Sequence, residues 1–385
     1  MKTPTKSKNH WVLLASALLS TPVRAAAPDI RFEDACKPAT QHAIVAAVGD
    51  ILPHNSLWAT ANANPTRGFG ALWAGVQDLL SRADISFANL EGPVAAGLPL
   101  GGSNASFNFP QRLIKDVKNS GFDLVTTANN HVMDRGIEGV NRTITTYENA
   151  GMPFVGTRRS NDTHPQWYRI TEANGIRIAW VSCTFSTNGL PDHGLVLNCY
   201  NEPAKIKSLI QTLNARPDVD AVFLAPHWGV EYADLPNATQ KNLATAYLGA
   251  GALAIVGSHP HVLEGFSKQH LGGRDRFVAY SLGNFVSGQT HDYQNTTAVL
   301  YIGLSKNAGG KAWINGIKYV PAVMQQSGEH GLHVVDRMAA GAAKTYANQR
   351  VTNLLGIGNR LSATHALTSS SQIDLTPECA LTDPQ

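Results

Sequence analysis

Five apolar runs in this chain stop abruptly at residue types that bind metal ions. Ala43–Val48 gives way to Gly49-Asp50, and Asp84–Ala88 to Asn89-Leu90-Glu91. Phe122–Thr127 leads to Ala128-Asn129-Asn130-His131, Ala221–Ala225 to Pro226-His227-Trp228-Gly229, and Ala252–Val256 to Gly257-Ser258-His259-Pro260-His261. Carboxylate, imidazole and amide oxygen are ligands for hard to borderline divalent cations. One such residue at one strand end is ordinary turn chemistry. Five ends that carry Asp50, Glu91, Asn130 with His131, His227, and His259 with His261 point to a metal site.

The elements that must position these residues follow from the pattern between them. The apolar runs read as buried strands. Helical periodicity is expected over Phe69–Arg82, Gln111–Asn119, Ile137–Ala150, Ala204–Ala215 and Asn237–Ala250. Strand alternating with helix argues for an α/β sandwich, and open α/β sheets build their sites at the carboxyl ends of strands. Ile176–Val181 and Phe277–Ser281 add strands, residues 293–325 read as further β structure, and 336–365 read as helical.

Composition narrows the class. The 385 residues include 31 Lys+Arg and 28 Asp+Glu, a formal charge of +3, with 43% hydrophobic and 15% charged residues. That balance excludes a disordered tail and a coiled coil. No basic run marks a nucleic-acid partner, and no Gly-x-Ser-x-Gly elbow marks a serine hydrolase. Residues 1–27 hold Lys2, Lys6, Lys8 and Arg24 and no acid, so without them 27 basic residues face 28 acidic ones, a charge of −1. The basic start, the apolar run Trp11–Leu19 and Ala25-Ala26-Ala27 read as a cleaved export signal over 1–27. The run is far shorter than the roughly 20 residues that span a bilayer. The mature chain is therefore expected to carry no transmembrane helix and to be periplasmic or extracellular. Cys36, Cys183, Cys199 and Cys379 contain no Cys-x-x-Cys and allow three pairings. An oxidising compartment makes Cys36 with Cys379 and Cys183 with Cys199 plausible, the alternative being buried thiols.

Gly49-Asp50, Asn89-Leu90-Glu91, Ala128–Gly136, His227–Tyr232, Gly257–Val262 and Tyr280–Phe285 occur in that order. Together they resemble the CapA family, whose members are linked to capsule and poly-γ-glutamate biosynthesis and which looks like a branch of the calcineurin-like metallophosphoesterases. The resemblance covers residues 42–325 and implies a four-layer α/β/β/α sandwich with a site between loops at one edge. Residues 326–385 would be a helical extension and flexible tail. Carried over, Asp50 would ligate the first of two divalent ions (Mn, Fe or Zn) and Glu91 would bridge both. Asn130, His227 and His259 would complete the second site, and His261 would return to the first. His131 would be the general acid or would stabilise an anion. Asp134, three residues on, is placed to interact with His131, and Glu231 to orient a ligand or touch substrate; the alternatives are helix N-terminal charge complementarity and a solvated loop acid. Trp228 would wall the pocket or belong to the core, and Asn284 has no assigned role.

Two departures stand out. The broader superfamily has Asp-x-His in its first motif, whereas Asp50-Ile51-Leu52 lacks the histidine, with His54 nearby as a substitute or a plain loop residue. The bridging position holds Glu91 in place of Asp. Two divalent cations would outweigh Asp50 and Glu91, so the centre would favour a phosphate or carboxylate. The expected activity is attack by metal-activated water on a phosphoester or a glutamate-polymer amide. The partners would be an anionic small molecule or a glutamate polymer, and the capsule-synthesis machinery. The alternatives are a non-catalytic polymer-handling protein and metal-assisted epimerisation α to a carbonyl.

Overall fold

The structure is a computed structural model that describes residues 27–103, 106–326 and 330–363. The expected export signal, apart from Ala27, and Cys379 lie outside the described residues.

Two sheets form the middle of the molecule. The first contains β1 (Gln41–Leu52), β2 (Ile85–Leu90), β5 (Leu124–Thr126), β6 (Phe154–Val155), β13 (Asn284–Ser287), β14 (Thr296–Lys306), β15 (Trp313–Gln325) and β16 (Gly331–Val334). Its order is β16-β15-β14-β1-β2-β5-β6, with β13 pairing alongside β1. The second contains β7 (Tyr168–Ala173), β8 (Ile176–Thr184), β9 (Ala221–His227), β10 (Ala254–Val256), β11 (Phe266–Leu271) and β12 (Arg274–Ala279), in the order β11-β12-β10-β9-β8-β7. A small hairpin, β3 (Gly101–Ser103) and β4 (Ser106–Asn108), stands apart. Strands β1, β2, β5 and β6 run parallel, as do β8, β9, β10 and β12. Their carboxyl ends bring the metal-binding residue types toward one edge.

Three apolar layers hold the sheets. Val45, Phe87, Trp180, Phe223, Phe277 and Leu300 fill the space between the sheets, with the Phe87 and Trp180 rings stacked at 4.7 Å. Phe69, Trp73, Leu113, Val117 and Tyr147 cover the outer face of the first sheet. Ile206, Ile210, Leu213, Tyr247 and Leu248, from helices Pro203–Ala215 and Ala238–Ala250, cover the second. The architecture is the four-layer α/β/β/α sandwich.

Some expected elements differ. The helix expected over Phe69–Arg82 is a 3-10 segment, Gly68–Val76, with a non-helical Trp73, followed by a short helix Gln77–Leu80. A Cβ on Gly75 would sit 2.5 Å from the Leu332 carbonyl oxygen, so this segment lies too close to β16 for a regular helix with side chains on every face. The helix expected over 336–365 is Ala342–Leu355. Its Val351, Leu354 and Leu355 join the inter-sheet core, and β16 extends the first sheet, so the packed fold runs past residue 325. Trp228 is core: its ring is fully buried, stacks on Tyr280, and donates to the Tyr280 carbonyl. No helix among the described residues is long and apolar enough to cross a membrane.

One buried acid makes the fold sensitive to pH. Gln240, in the capping box of helix Ala238–Ala250, donates from Nε2 to Glu264 Oε2 at 2.7 Å. The other Glu264 oxygen is buried without a partner, and burial pushes the carboxyl up to about 8 from 4.5. Between those values the folded protein holds a proton that the unfolded chain has released. Stability therefore falls as pH rises through that window. Glu264→Gln should flatten this dependence, so its Tm relative to the parent should be higher at about pH 8 than at about pH 5. An equal difference at both pH values would refute the assignment.

Candidate metal centre

The site begins with a distortion of β1. Its pairing with β2 shifts register between Ala47 and Asp50, and its pairing with β13 shifts between Asp50 and Ile51. Such bulges re-aim side chains. A Cβ on Gly49 would fall 1.8 Å from the Gly283 carbonyl oxygen, so only glycine lets the 280–285 turn press against β1. That same oxygen accepts from the Asp50 N–H at 2.9 Å. Asp50 thus lies within the strand, beyond where the apolar run had suggested its end. Its carboxylate accepts from Asn89 Nδ2 at 2.8 Å and from the His259 N–H at 3.3 Å. Thr126 donates to Asn89 Oδ1 at 2.9 Å, which fixes the amide.

The second sheet delivers the histidines. His227 ends β9; its Nδ1 meets Ser258 Oγ at 2.9 Å, and its Nε2 meets Asn130 Oδ1 at 2.9 Å and Glu91 Oε1 at 3.7 Å. His261 Nδ1 lies 2.9 Å from Asn284 Oδ1 and 3.7 Å from Asp50 Oδ2, and its Nε2 lies 3.8 Å from Glu91 Oε1. His259 and His261 hold positive φ angles, 100° and 59°. Such a backbone persists in non-glycine residues only where the surroundings over-determine it, and it clusters at functional sites.

Two sets of potential ligand atoms therefore share one carboxylate. Glu91, His227 and His259 form the first, and Asp50, Glu91 and His261 the second. Both Glu91 oxygens and His259 Nδ1 are buried without a hydrogen-bond partner. A native interior rarely leaves a buried carboxylate unsatisfied, and divalent cations would supply what it lacks. The donor set, carboxylate with imidazole and amide oxygen, fits such ions. Burial pushes Asp50 up to about 7 and Glu91 well above the usual carboxylate range, the latter also through repulsion from Asp50. Burial holds His259 down to about 3, His261 down to about 4, and His227 well below the usual imidazole range. The imidazoles are thus neutral at physiological pH, the form that offers a lone pair to a metal.

The remaining expected residues surround this centre. His131 Nδ1 lies 2.9 Å from Asp134 Oδ2, which also accepts from the Phe107 N–H at 2.7 Å. The Asp134 side chain, 5% exposed, therefore backs the imidazole as a positioning group, while the His131 ring packs edge-on against Phe107. Glu231 is exposed, yet it forms a third candidate cluster with His259 and His261. His54, weighed as the missing first-motif histidine, accepts from the Gly288 N–H at 3.1 Å and joins no cluster of three such residues among the described ones.

Several residues of the centre had no role assigned from sequence. Asn89 lay inside a quoted motif, and its amide beside two acids was the available signal. Asn284 proves to orient His261, while Ser258 orients His227. Phe185 and Asn188 had no local signal: the Phe185 ring lies 4.4 Å from that of His259, and Asn188 Oδ1 accepts from Asn130 Nδ2 at 3.3 Å. Both belong to the loop closed by the Cys183–Cys199 disulfide, one of the two plausible bonds. Cys36 is also disulfide-bonded.

The sequence profile described as bacterial capsule synthesis protein PGA_cap matches residues 44–289, well over half of the chain and the span that contains Asp50, Glu91, Asn130, His131, His227, His259 and His261. The chain belongs to this capsule synthesis family. The capsule biosynthesis protein CapA of Bacillus anthracis is 27% identical over 321 residues, covering 79% of this chain and 75% of that protein. The PGA biosynthesis protein CapA of Bacillus subtilis (strain 168) is 28% identical over 249 residues, covering 64% of each. Among solved structures, the NAD nucleotidase NadN of Haemophilus influenzae aligns with a TM-score of 0.47 at 16% identity, over 85% of this chain and 59% of that one. That overlap is too loose to assign chemistry to this family member.

Two variants probe how the centre is held. Asn284→Ala removes the acceptor for His261 Nδ1 and should weaken divalent metal affinity by about 10–100-fold in a chelator competition; unchanged affinity would show that Asn284 does not set the ring. Replacing Cys183 and Cys199 by Ser frees a loop of 16-residue separation. It should lower unfolding free energy by about 3 kcal/mol in a denaturant titration, and a loss below about 1 kcal/mol would contradict the constraint.

Proposed function

We propose that the protein is an exported, metal-dependent hydrolase of capsule assembly that acts on a phosphoester or a glutamate-polymer amide. The observation that carries this reading is Glu91, fully buried, with two unpartnered oxygens where two ligand sets meet. Asp50, Glu91 and His261 would hold one cation, and Glu91, Asn130, His227 and His259 the other, as in a calcineurin-like site. Bound there, the ions would supply Lewis-acid polarisation and an activated water at neutral pH.

The chain's own residues account for the rest. The sharing of Glu91 between both sets fixes them to one another. Neutral His227, His259 and His261 keep the histidine side of the site from adding charge. Asp134 accepts from His131 Nδ1 and leaves Nε2 to give a proton to the departing group. Glu231, at the exposed lip, is placed to meet substrate as it enters. Export rests on the 1–27 pattern, and the Cys183–Cys199 bond favours an oxidising compartment. The substrate would be anionic at the reacting group, and the working partners would be the capsule-synthesis machinery.

Metal analysis combined with a hydrolysis screen against phosphoesters and poly-γ-glutamate tests this reading. His227→Ala and His259→Ala should lose bound metal. His131→Ala should keep it and lose about 10²–10⁴-fold in turnover. A parent protein that carries no stoichiometric divalent metal would sink the proposal. Polymer binding without turnover of either substrate would favour the handling role.

A further inference from the structure

The two ligand sets are unequal. Glu91, Asn130, His227 and His259 offer four donors to one cation, whereas Asp50, Glu91 and His261 offer three to the other. Three protein donors leave half the positions of an octahedral ion such as Mn²⁺ to other groups. Among the described residues, one further cluster of metal-binding types includes His261. It is Glu231 with His259 and His261, whose ligand atoms all lie within 4.8 Å of one another.

Backbone contacts bring Glu231 to this place. The Trp228 N–H donates to the Ser258 carbonyl at 3.0 Å, and the Tyr232 N–H to the Pro260 carbonyl at 2.8 Å. Residues 228–232 therefore run alongside the 258–261 loop that carries both imidazoles. Between the two contacts the chain turns sharply, with φ of 100° at Gly229 and 65° at Tyr232. A tyrosine in the left-handed region is strained, and it persists where the surroundings impose it. Its ring lies 6.1 Å from that of His261. Glu91 thus meets the two histidines from the buried side of the centre and Glu231 from the exposed side. Burial and repulsion from Asp50 raise the Glu91 carboxyl, and repulsion from Glu231 adds to them, so the third acid acts on the same centre. Like charges gathered in this way are unfavourable alone and favour a cation among them.

We propose that Glu231 is a ligand of the Asp50–Glu91–His261 cation, bound from the exposed side. The inference rests on the hydrolase reading for its two-cation centre and adds a fourth protein donor to the poorer set. Substrate also arrives on the exposed side, so an anionic oxygen that reaches this cation competes with the Glu231 carboxylate. The test is metal binding without substrate. The full chain, stripped of metal, is titrated with Mn²⁺ alone at about 0.1 M and about 0.5 M salt, and free Mn²⁺ is read by electron paramagnetic resonance. Glu231→Gln keeps the size of an exposed side chain and removes its charge. It should weaken one binding step at least about tenfold at both salt concentrations, and far more than the other step. Two results would each overturn the proposal. One is Mn²⁺ binding unmoved by Glu231→Gln, which leaves the hydrolase reading standing. The other is a loss shared equally by both steps that fades at the higher salt, the signature of through-space attraction. A parent that binds no Mn²⁺ would sink the hydrolase reading together with this one.

Discussion

The structure depends on the cost of burying Glu91. A carboxylate taken out of water needs an opposite charge or several hydrogen bonds, and an isolated one is strongly disfavoured. Glu91 is fully buried and has neither among its described neighbours. Its surroundings consist of a second buried acid, three imidazoles held neutral and an amide oxygen. That grouping would be a liability in a core and is what a divalent cation site requires.

The scaffold is rigid where the cost is concentrated. Asp50, Glu91, Asn130 and His131 come from the first sheet, and His227, His259 and His261 from the second, so the site is the seam between them. Four of its polar groups are fixed from behind: Asp50 by Asn89, His227 by Ser258, His261 by Asn284, His131 by Asp134. The loops over the seam are tied as well. The Cys183–Cys199 disulfide holds the loop that carries Phe185 and Asn188, and Arg350 pairs with Asp234 beside the segment that carries Glu231 and Tyr232. Helix Ala342–Leu355 is thereby tied to that segment, although its sequence carries none of the motif residues.

The legible part of the fold was the part set by local pattern. Alternating apolar runs and helical stretches gave β1, β2, β9 and β10 and the helices that cover them, because burial on both faces writes a continuous apolar run. The Gly68–Val76 segment read as helix because its apolar spacing suits one; contact with β16 decided otherwise, and β16 is more than 250 residues away in sequence. Asp50 read as a residue past the end of a strand because Gly49 looked like a turn. In the structure Gly49 is the place where another backbone comes close.

The sequence by itself determined the ligand types and their order: five ends that carry Asp50, Glu91, Asn130, His227, His259 and His261, in motifs shared with a capsule synthesis family. Residue chemistry is local, so it is written directly in the chain. Only the tertiary structure decided which of these come together as candidate ion ligands, that Glu91 belongs to both sets, that Asn284 and Ser258 orient the rings, and that Trp228 is core. Those facts depend on distances between residues far apart along the chain. The packing of two sheets sets them, and no single stretch of sequence records it.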